Sequence, residues 1–150
     1  MSEIVLEGLD QFYGKLKNIT SGLMGQFAED AVTEGASVVQ SYAQLNASNV
    51  FGKNQRGTLR NSIMPEIQRT GTGARAEIGP NVIYGRIQEL GGTIRPIRAS
   101  VLHFVIDNKD IYAKQVTLPP RPYLRPAVED HRDEIIRVMT DSLADNLAGI

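Results

Sequence analysis

Few residues in this sequence are able to carry acid–base or metal chemistry, because its 150 residues include two histidines and no cysteine. His103 lies inside an apolar run at 101–106, where a hydrogen-bonded histidine on a sheet face is a simpler interpretation than a general base. His131 has Glu134 three residues later, a weak metal-ligand spacing that charge-rich helices produce by chance. We therefore expect no metal site and no cofactor.

Signatures of nucleophilic catalysis and phosphate binding are also missing from the sequence. It has no G-x-S-x-G elbow, no S-x-x-K pair, no P-loop and no G-x-G-x-x-G loop that opens a helix. Gly71, Thr72 and Gly73 are followed by Ala74 and Arg75 and indicate a turn. We expect a protein that is not an enzyme, and a small hydrolase is the weakest of the alternatives.

The distribution of charge is more informative than these residue types. The chain has 16 basic and 17 acidic residues, for a net charge of -1. Residues 1–49 carry 2 basic and 6 acidic residues, residues 50–127 carry 12 and 5, and residues 128–150 carry 2 and 6. The basic middle could bind nucleic acid, or it could meet acidic segments of the same or another copy. The near-zero total favours the second interpretation.

The stretch at 119–127, PPRPYLRPA, is the best candidate for a protein interface. It carries an aromatic side chain and two arginines on a backbone stiffened by proline. The alternative is a rigid connector in which Tyr123 and Leu124 pack into the core. The residues that we predict at an interface are Arg56, Arg60, Arg86, Glu89, Arg95, Arg98, Arg121, Tyr123 and Arg125.

Helices are predicted at both ends of the chain. Apolar residues at helical spacing within 1–49 indicate two N-terminal helices, a short one capped by Ser2 and a long one that begins after Thr20 or Ser21. After a proline spacer, residues up to 150 predict a long amphipathic helix. Its apolar face consists of Val128, Ile135, Met139, Leu143 and Leu147.

The segment at 50–118 predicts an antiparallel sheet of four or five strands with a short helix inserted at 81–90. Its first two strands, at 59–70 and 74–79, indicate a hairpin. Loops at 48–60 and 107–115 are expected to be mobile. The fold class is therefore α+β, and the length of the chain favours a single domain at 1–150.

No apolar stretch approaches the ~20 residues that a membrane-spanning helix needs. The N-terminus has Glu3 and Glu7 where a secretion signal has basic residues. We expect no membrane partner.

Three stretches resemble a known family when they are taken in order: GTLRNSI at 57–63, YGRIQELGG at 84–92 and PPRPYLRPA at 119–127. They are similar to the neck and tail-completion (head-tail joining) proteins of long-tailed, siphophage-type bacteriophages, and more loosely to the virion-morphogenesis proteins of Mu-like phages. That pattern has a G-x-L-x-x-S start, a glutamate–glycine signature after a tyrosine, and a P-aromatic-L-x-P-A segment before the last helix. Leu90 stands where an aromatic residue is common.

The resemblance implies a non-enzymatic structural protein that forms or joins a ring between the capsid portal region and the tail, or caps the tail tube. The implied partners are further copies in a homo-oligomeric ring and adjacent connector, head-closure, tail-tube or terminator proteins, with DNA only as the genome passing through the lumen. The implied location is the virion, at the neck or the head-proximal end of the tail, after assembly in the host cytoplasm. The alternative is a nucleic-acid-binding module that uses the basic middle.

Overall fold

The computed structural model describes residues 9–51 and 57–149, with the side chains in those ranges except 9–13, 16 and 51. The helices are α1 (Leu9–Phe51), α2 (Thr58–Ser62), α3 (Gly85–Leu90), α4 (Leu124–Glu129) and α5 (Arg132–Ala148). The strands are β1 (Ile63–Thr70), β2 (Gly73–Pro80), β3 (Gly92–Ile94), β4 (Leu102–Ile106), β5 (Lys109–Ala113) and β6 (Val116–Leu118). This composition confirms the α+β class, including the short inserted helix, α3.

A single helix of 43 residues, α1, replaces the two predicted N-terminal helices. It runs through Thr20 and Ser21 without a break, so the helix boundary predicted there is wrong; Ser2 lies outside the described residues. Hydroxyl side chains fit inside this helix because they donate hydrogen bonds to backbone carbonyls four residues earlier. Thr33 Oγ1, for example, donates to the backbone carbonyl oxygen of Glu29 at 2.7 Å. No helix in the described ranges is long and apolar enough to cross a membrane.

The strands form three separate two-stranded sheets, and the predicted single sheet of four or five strands is wrong. β1 pairs with β2 as the predicted hairpin, while β3 pairs antiparallel with β6 and β4 with β5. The loop predicted at 107–115 is instead a turn and the strand β5. At this turn Asp107 and Asn108 both have positive φ, a conformation that Asp and Asn tolerate better than other side chains.

The predicted long C-terminal helix is α5, and a separate short helix, α4, precedes it, so the long helix begins later than predicted, after residues 130 and 131. The predicted apolar face of α5 is divided between two environments. Met139 covers Gly35 of α1 so closely that a Cβ on Gly35 would lie 2.7 Å from the Met139 Cγ. Leu143 and Leu147 remain 38% and 54% exposed. Gly35 thus allows α5 to pack closely against α1, while the part of the α5 face at Leu143 and Leu147 stays exposed to solvent.

The chain divides into two compact units, each built from segments distant in sequence. Unit 1 comprises Met1–Gln40, Pro65–Ile78 and His131–Ile150, and unit 2 comprises Ser41–Met64 and Gly79–Asp130. Unit 1 has six basic and twelve acidic residues, a net charge of -6, whereas unit 2 has ten and five, a net charge of +5. The alternation of charge along the sequence therefore becomes one acidic unit and one basic unit.

Candidate functional site

The second and third sequence motifs meet at the carboxylate of Glu89, on α3. Its Oε2 accepts hydrogen bonds from the backbone N–H groups of Tyr123 at 2.7 Å and Leu124 at 2.9 Å. Its Oε1 accepts a third from the N–H of Arg125 at 3.0 Å. These N–H groups open α4, where no earlier helical turn satisfies them and the helix dipole favours a negative charge. Glu89 therefore caps α4 from a different helix.

Tyr123 is fully buried in unit 2. Its hydroxyl donates to the Gly85 carbonyl at 3.1 Å, and its own carbonyl accepts a hydrogen bond from Asn46 Nδ2 at 3.2 Å. Burial, and to a smaller extent the negative charge of Glu89, raises the pKa of Tyr123 to about 12, because both disfavour the phenolate. Tyr123 is therefore inaccessible to a partner, and its prediction as an interface residue is wrong. It occupies the core position that was the alternative interpretation of the sequence.

Two glycines of the second motif allow α3 to approach its neighbours. Gly91 has a φ of +69°, and a Cβ there would lie 2.7 Å from the Pro120 nitrogen and 2.8 Å from the Leu118 oxygen. A Cβ on Gly85 would overlap the ring of Pro80. These contacts require residues without a side chain, so Gly85 lets α3 pack against the end of β2 and Gly91 lets it pack against the proline segment at 119–122.

The first motif also builds unit 2. Residues 59–62, which we predicted as the start of a strand, belong to α2. Leu59 on this helix and Ile63, the first residue of β1, are both buried. The Ser62 carbonyl accepts the backbone N–H of Asn81 at 2.9 Å, and the Ile63 carbonyl accepts Gln44 Nε2 at 3.4 Å. All three motifs therefore have structural roles inside the same unit.

The arginines predicted at an interface form the exposed part of this site, except for Arg56, which lies outside the described residues. The six others all belong to unit 2 and are all exposed: Arg60, Arg86, Arg95, Arg98, Arg121 and Arg125. Arg95 Nε donates to Gln115 Oε1 at 3.2 Å. Within the described parts of the chain, no acidic side chain pairs with Arg60, Arg86, Arg98 or Arg125. These guanidinium groups can therefore bind carboxylates or phosphates of another molecule.

Exposed apolar side chains of unit 2 were not predicted as part of the site. Ile83 is fully exposed, Ile97 almost so, and Leu90 is 53% exposed. Ile83, Ile87 and Leu90, together with Arg86 and Gly91, line an open pocket of about 390 Å³. Grouped exposed apolar residues mark interaction surfaces. The available signal was the helical spacing of Ile83, Ile87 and Leu90 at the short helix.

The histidines occupy exposed or half-exposed positions outside this site. His103 Nε2 lies 2.7 Å from Asp110 Oδ1, and its ring stacks on Tyr112 with 4.8 Å between ring centroids. His131 Nδ1 is 3.7 Å from Glu134 Oε2, too long for a hydrogen bond. Among the described residues, no group of three or more histidine or acidic side chains is placed to hold a metal ion.

A family model described as "Bacteriophage HK97-gp10, putative tail-component" matches residues 10–91, more than half of the chain. Searches of curated proteins and of solved structures gave no significant match. The matched region contains the first two motifs, and Glu89 at its end holds the third motif in place. The chain therefore belongs to the HK97 gp10-like family of bacteriophage tail components, a structural class of phage protein.

Proposed function

We propose that the protein is a neck or tail-completion protein without enzymatic activity, which forms or joins a ring at the head–tail interface during virion assembly. The observation that carries this proposal is the separation of charge, with -6 on unit 1 and +5 on unit 2. Identical copies that meet through two unlike surfaces can repeat the same contact, and they form a ring when the rotation closes.

Both units offer surfaces suited to such a contact. Unit 2 exposes arginines that no described acidic group neutralises. In unit 1 an open groove of about 460 Å³ between α1 and α5 is lined by Asp30, Glu34, Asp141 and Asp145 and by no basic side chain. Complementary charge accelerates encounter and selects the partner and register.

The proposed partners are further copies in a homo-oligomeric ring, and the connector, head-closure, tail-tube or terminator proteins on either side of it. DNA would be met only as the genome passing through the lumen. The proposed location is the neck or the head-proximal end of the tail, with assembly in the host cytoplasm.

Light scattering and negative-stain microscopy of the purified chain over a range of ionic strengths test this function. We expect rings or higher oligomers at low salt and weaker association as salt screens the surface charges. Immunogold labelling of virions is the second arm, with label expected at the head–tail junction. Label elsewhere on the virion would contradict the proposed position.

The exposed arginines of unit 2 also favour a second candidate, a nucleic-acid-binding module. Such a protein binds duplex DNA with an affinity that falls steeply with salt, with a slope of roughly -0.9 per neutralised phosphate on a double-logarithmic plot. A fluorescence-anisotropy titration with duplex DNA discriminates between the two functions. Tight binding by a chain that forms no rings would favour the module.

A further inference from the structure

Two partly exposed apolar stripes lie in units of opposite net charge, one at α3 in unit 2 and one on α5 in unit 1. The α3 stripe consists of Ile83, Ile87 and Leu90, spaced at i, i+4 and i+7, with the exposed Arg86 beside it. The α5 stripe consists of Ile136, Leu143 and Leu147, spaced at i, i+7 and i+11, with the exposed Asp133 one turn before it. In the α5 stripe these three side chains are 51%, 38% and 54% exposed. The α5 spacing places its three residues on one side of that helix, and the pocket that Ile83, Ile87 and Leu90 line together groups the residues of the α3 stripe.

We propose that the α3 stripe of one copy binds the α5 stripe of a second copy of this chain. This inference rests on the proposed function and names the surfaces that join neighbouring copies. Apolar side chains would fill the α3 pocket of about 390 Å³, which is open in the single chain. Removing such side chains from water is the dominant favourable term in protein association.

Charge selects a second copy as the occupant. The α3 stripe belongs to the unit with a net charge of +5, and the α5 stripe to the unit with a net charge of -6. A contact between two α5 stripes would bring two acidic units together, and a contact between two α3 stripes would bring two basic units together. Like charges across an interface are unfavourable, so pairing α3 with α5 is preferred.

The proposed contact is heterologous, since each copy uses one stripe to bind the copy ahead and the other to bind the copy behind. An open assembly therefore keeps one free stripe of each kind, one at each end, until it closes into a ring. Damage to one stripe should stop growth, while the other stripe on the same copy still binds.

A mixing experiment with Ile83→Asp and Leu147→Asp tests this arrangement. Both side chains are at least half exposed, so circular dichroism should show unchanged folding; Leu147→Ser is the milder second variant. Each variant alone should self-associate about tenfold more weakly or worse, because burial of one large apolar side chain is worth at least that factor. A mixture of the two variants should form dimers but no rings, since one intact stripe of each kind remains.

Ile19→Asp is the matched control, because Ile19 is 61% exposed on α1 and lies in neither stripe. It should assemble like the unchanged chain. Rings that form normally with both stripe variants would overturn the contact while leaving the ring function intact. Variants that fail to assemble and also fail to pair on mixing would equally overturn it, because the intact α5 stripe of one variant would then not bind the intact α3 stripe of the other. An unchanged chain that stays monomeric at low salt, yet is labelled at the virion neck, would overturn self-contact without overturning the neck role.

Discussion

Glu89 Oε2 lies 2.7 Å from the backbone nitrogen of Tyr123, a hydrogen bond between residues 34 positions apart. The same carboxylate also accepts the N–H groups of Leu124 and Arg125, so one side chain satisfies the start of α4. The hydroxyl group of Tyr123 donates a hydrogen bond to the backbone carbonyl of Gly85 on α3. α3 and the proline segment thus hold each other in place, and the exposed arginines at 121 and 125 depend on that arrangement.

Glu89→Ala should destabilise the protein, because it leaves the three N–H groups that Glu89 binds without their acceptor. A buried N–H group that loses its acceptor costs about 1–3 kcal/mol. Because Arg125 is exposed and water can replace the acceptor of its N–H group, we expect a total loss of about 2–3 kcal/mol in the free energy of unfolding. Glu89→Gln keeps one acceptor oxygen and should lose about 1 kcal/mol. Urea unfolding measures the difference. Glu129→Ala, at an exposed position of α4, is the control; if Glu89→Ala lost no more stability than this control, the cap would contribute nothing.

Tyr123 should make the folded state sensitive to alkali. Its pKa is raised to about 12 in the folded chain, by burial first and by Glu89 second, against 10.0 in the absence of these effects. The neutral phenol is therefore favoured on folding, and this contribution is complete below pH 10 and is lost as the pH rises towards 12. Stability measured across that window should fall more steeply in the unchanged chain than in Tyr123→Phe. Parallel curves for the two proteins would show that the phenol of Tyr123 does not carry the effect.

Local patterns predicted the parts of the fold that depend on neighbouring residues. The hairpin of β1 and β2, the short helix α3 and the amphipathic character of α5 were all predictable in this way. Glycines inside α1 disfavour an isolated helix, and contacts with other elements compensate for them. A Cβ on Gly25 would lie 2.8 Å from the Gly71 carbonyl oxygen, so Gly25 serves close packing inside a continuous helix.

Pairing between distant segments could not be predicted from the sequence. β3 and β6 are joined through Thr93 and Thr117, 24 residues apart, and alternation within three-residue strands does not reveal a distant partner. For the candidate site, the sequence identified the residue types but did not show which side chains face solvent and which face the core. Arg86 and Arg98 are exposed, whereas Tyr123 is buried.

Gly91→Ala and Gly22→Ala should change stability in opposite directions. Gly91 has a positive φ, and a Cβ added there would have backbone atoms within 2.8 Å, so alanine should cost more than about 2 kcal/mol through strain and displacement of the proline segment. Gly22 lies inside α1, and among the described residues no atom beyond its own stretch of helix lies within 4 Å of the Cβ position, so alanine there should add about 0.5–1 kcal/mol. Thermal or urea unfolding of both variants measures the contrast. A Gly91→Ala protein as stable as the parent would mean that the chain relaxes freely around residue 91.

Charge reversal at Arg98 should weaken self-association without affecting the fold. Arg98 is exposed and has no acidic partner in the described parts of the chain, so Arg98→Glu removes no ion pair with a described residue of the same copy. It lowers the positive charge of unit 2 and should therefore reduce the association rate at low salt, with a smaller difference at high salt. Stopped-flow light scattering across ionic strength measures this effect.

Arg75→Glu is the matched control for that reversal. It introduces the same change of charge in unit 1, where Arg75 lies 3.4 Å from Glu77 and donates to Gln68. Because unit 1 is already acidic, this variant should associate as fast as the parent or faster. If both variants slowed association equally, the rate would depend on the net charge of the whole chain. A loss confined to Arg98→Glu would instead indicate that the basic unit faces the acidic unit of a neighbouring copy.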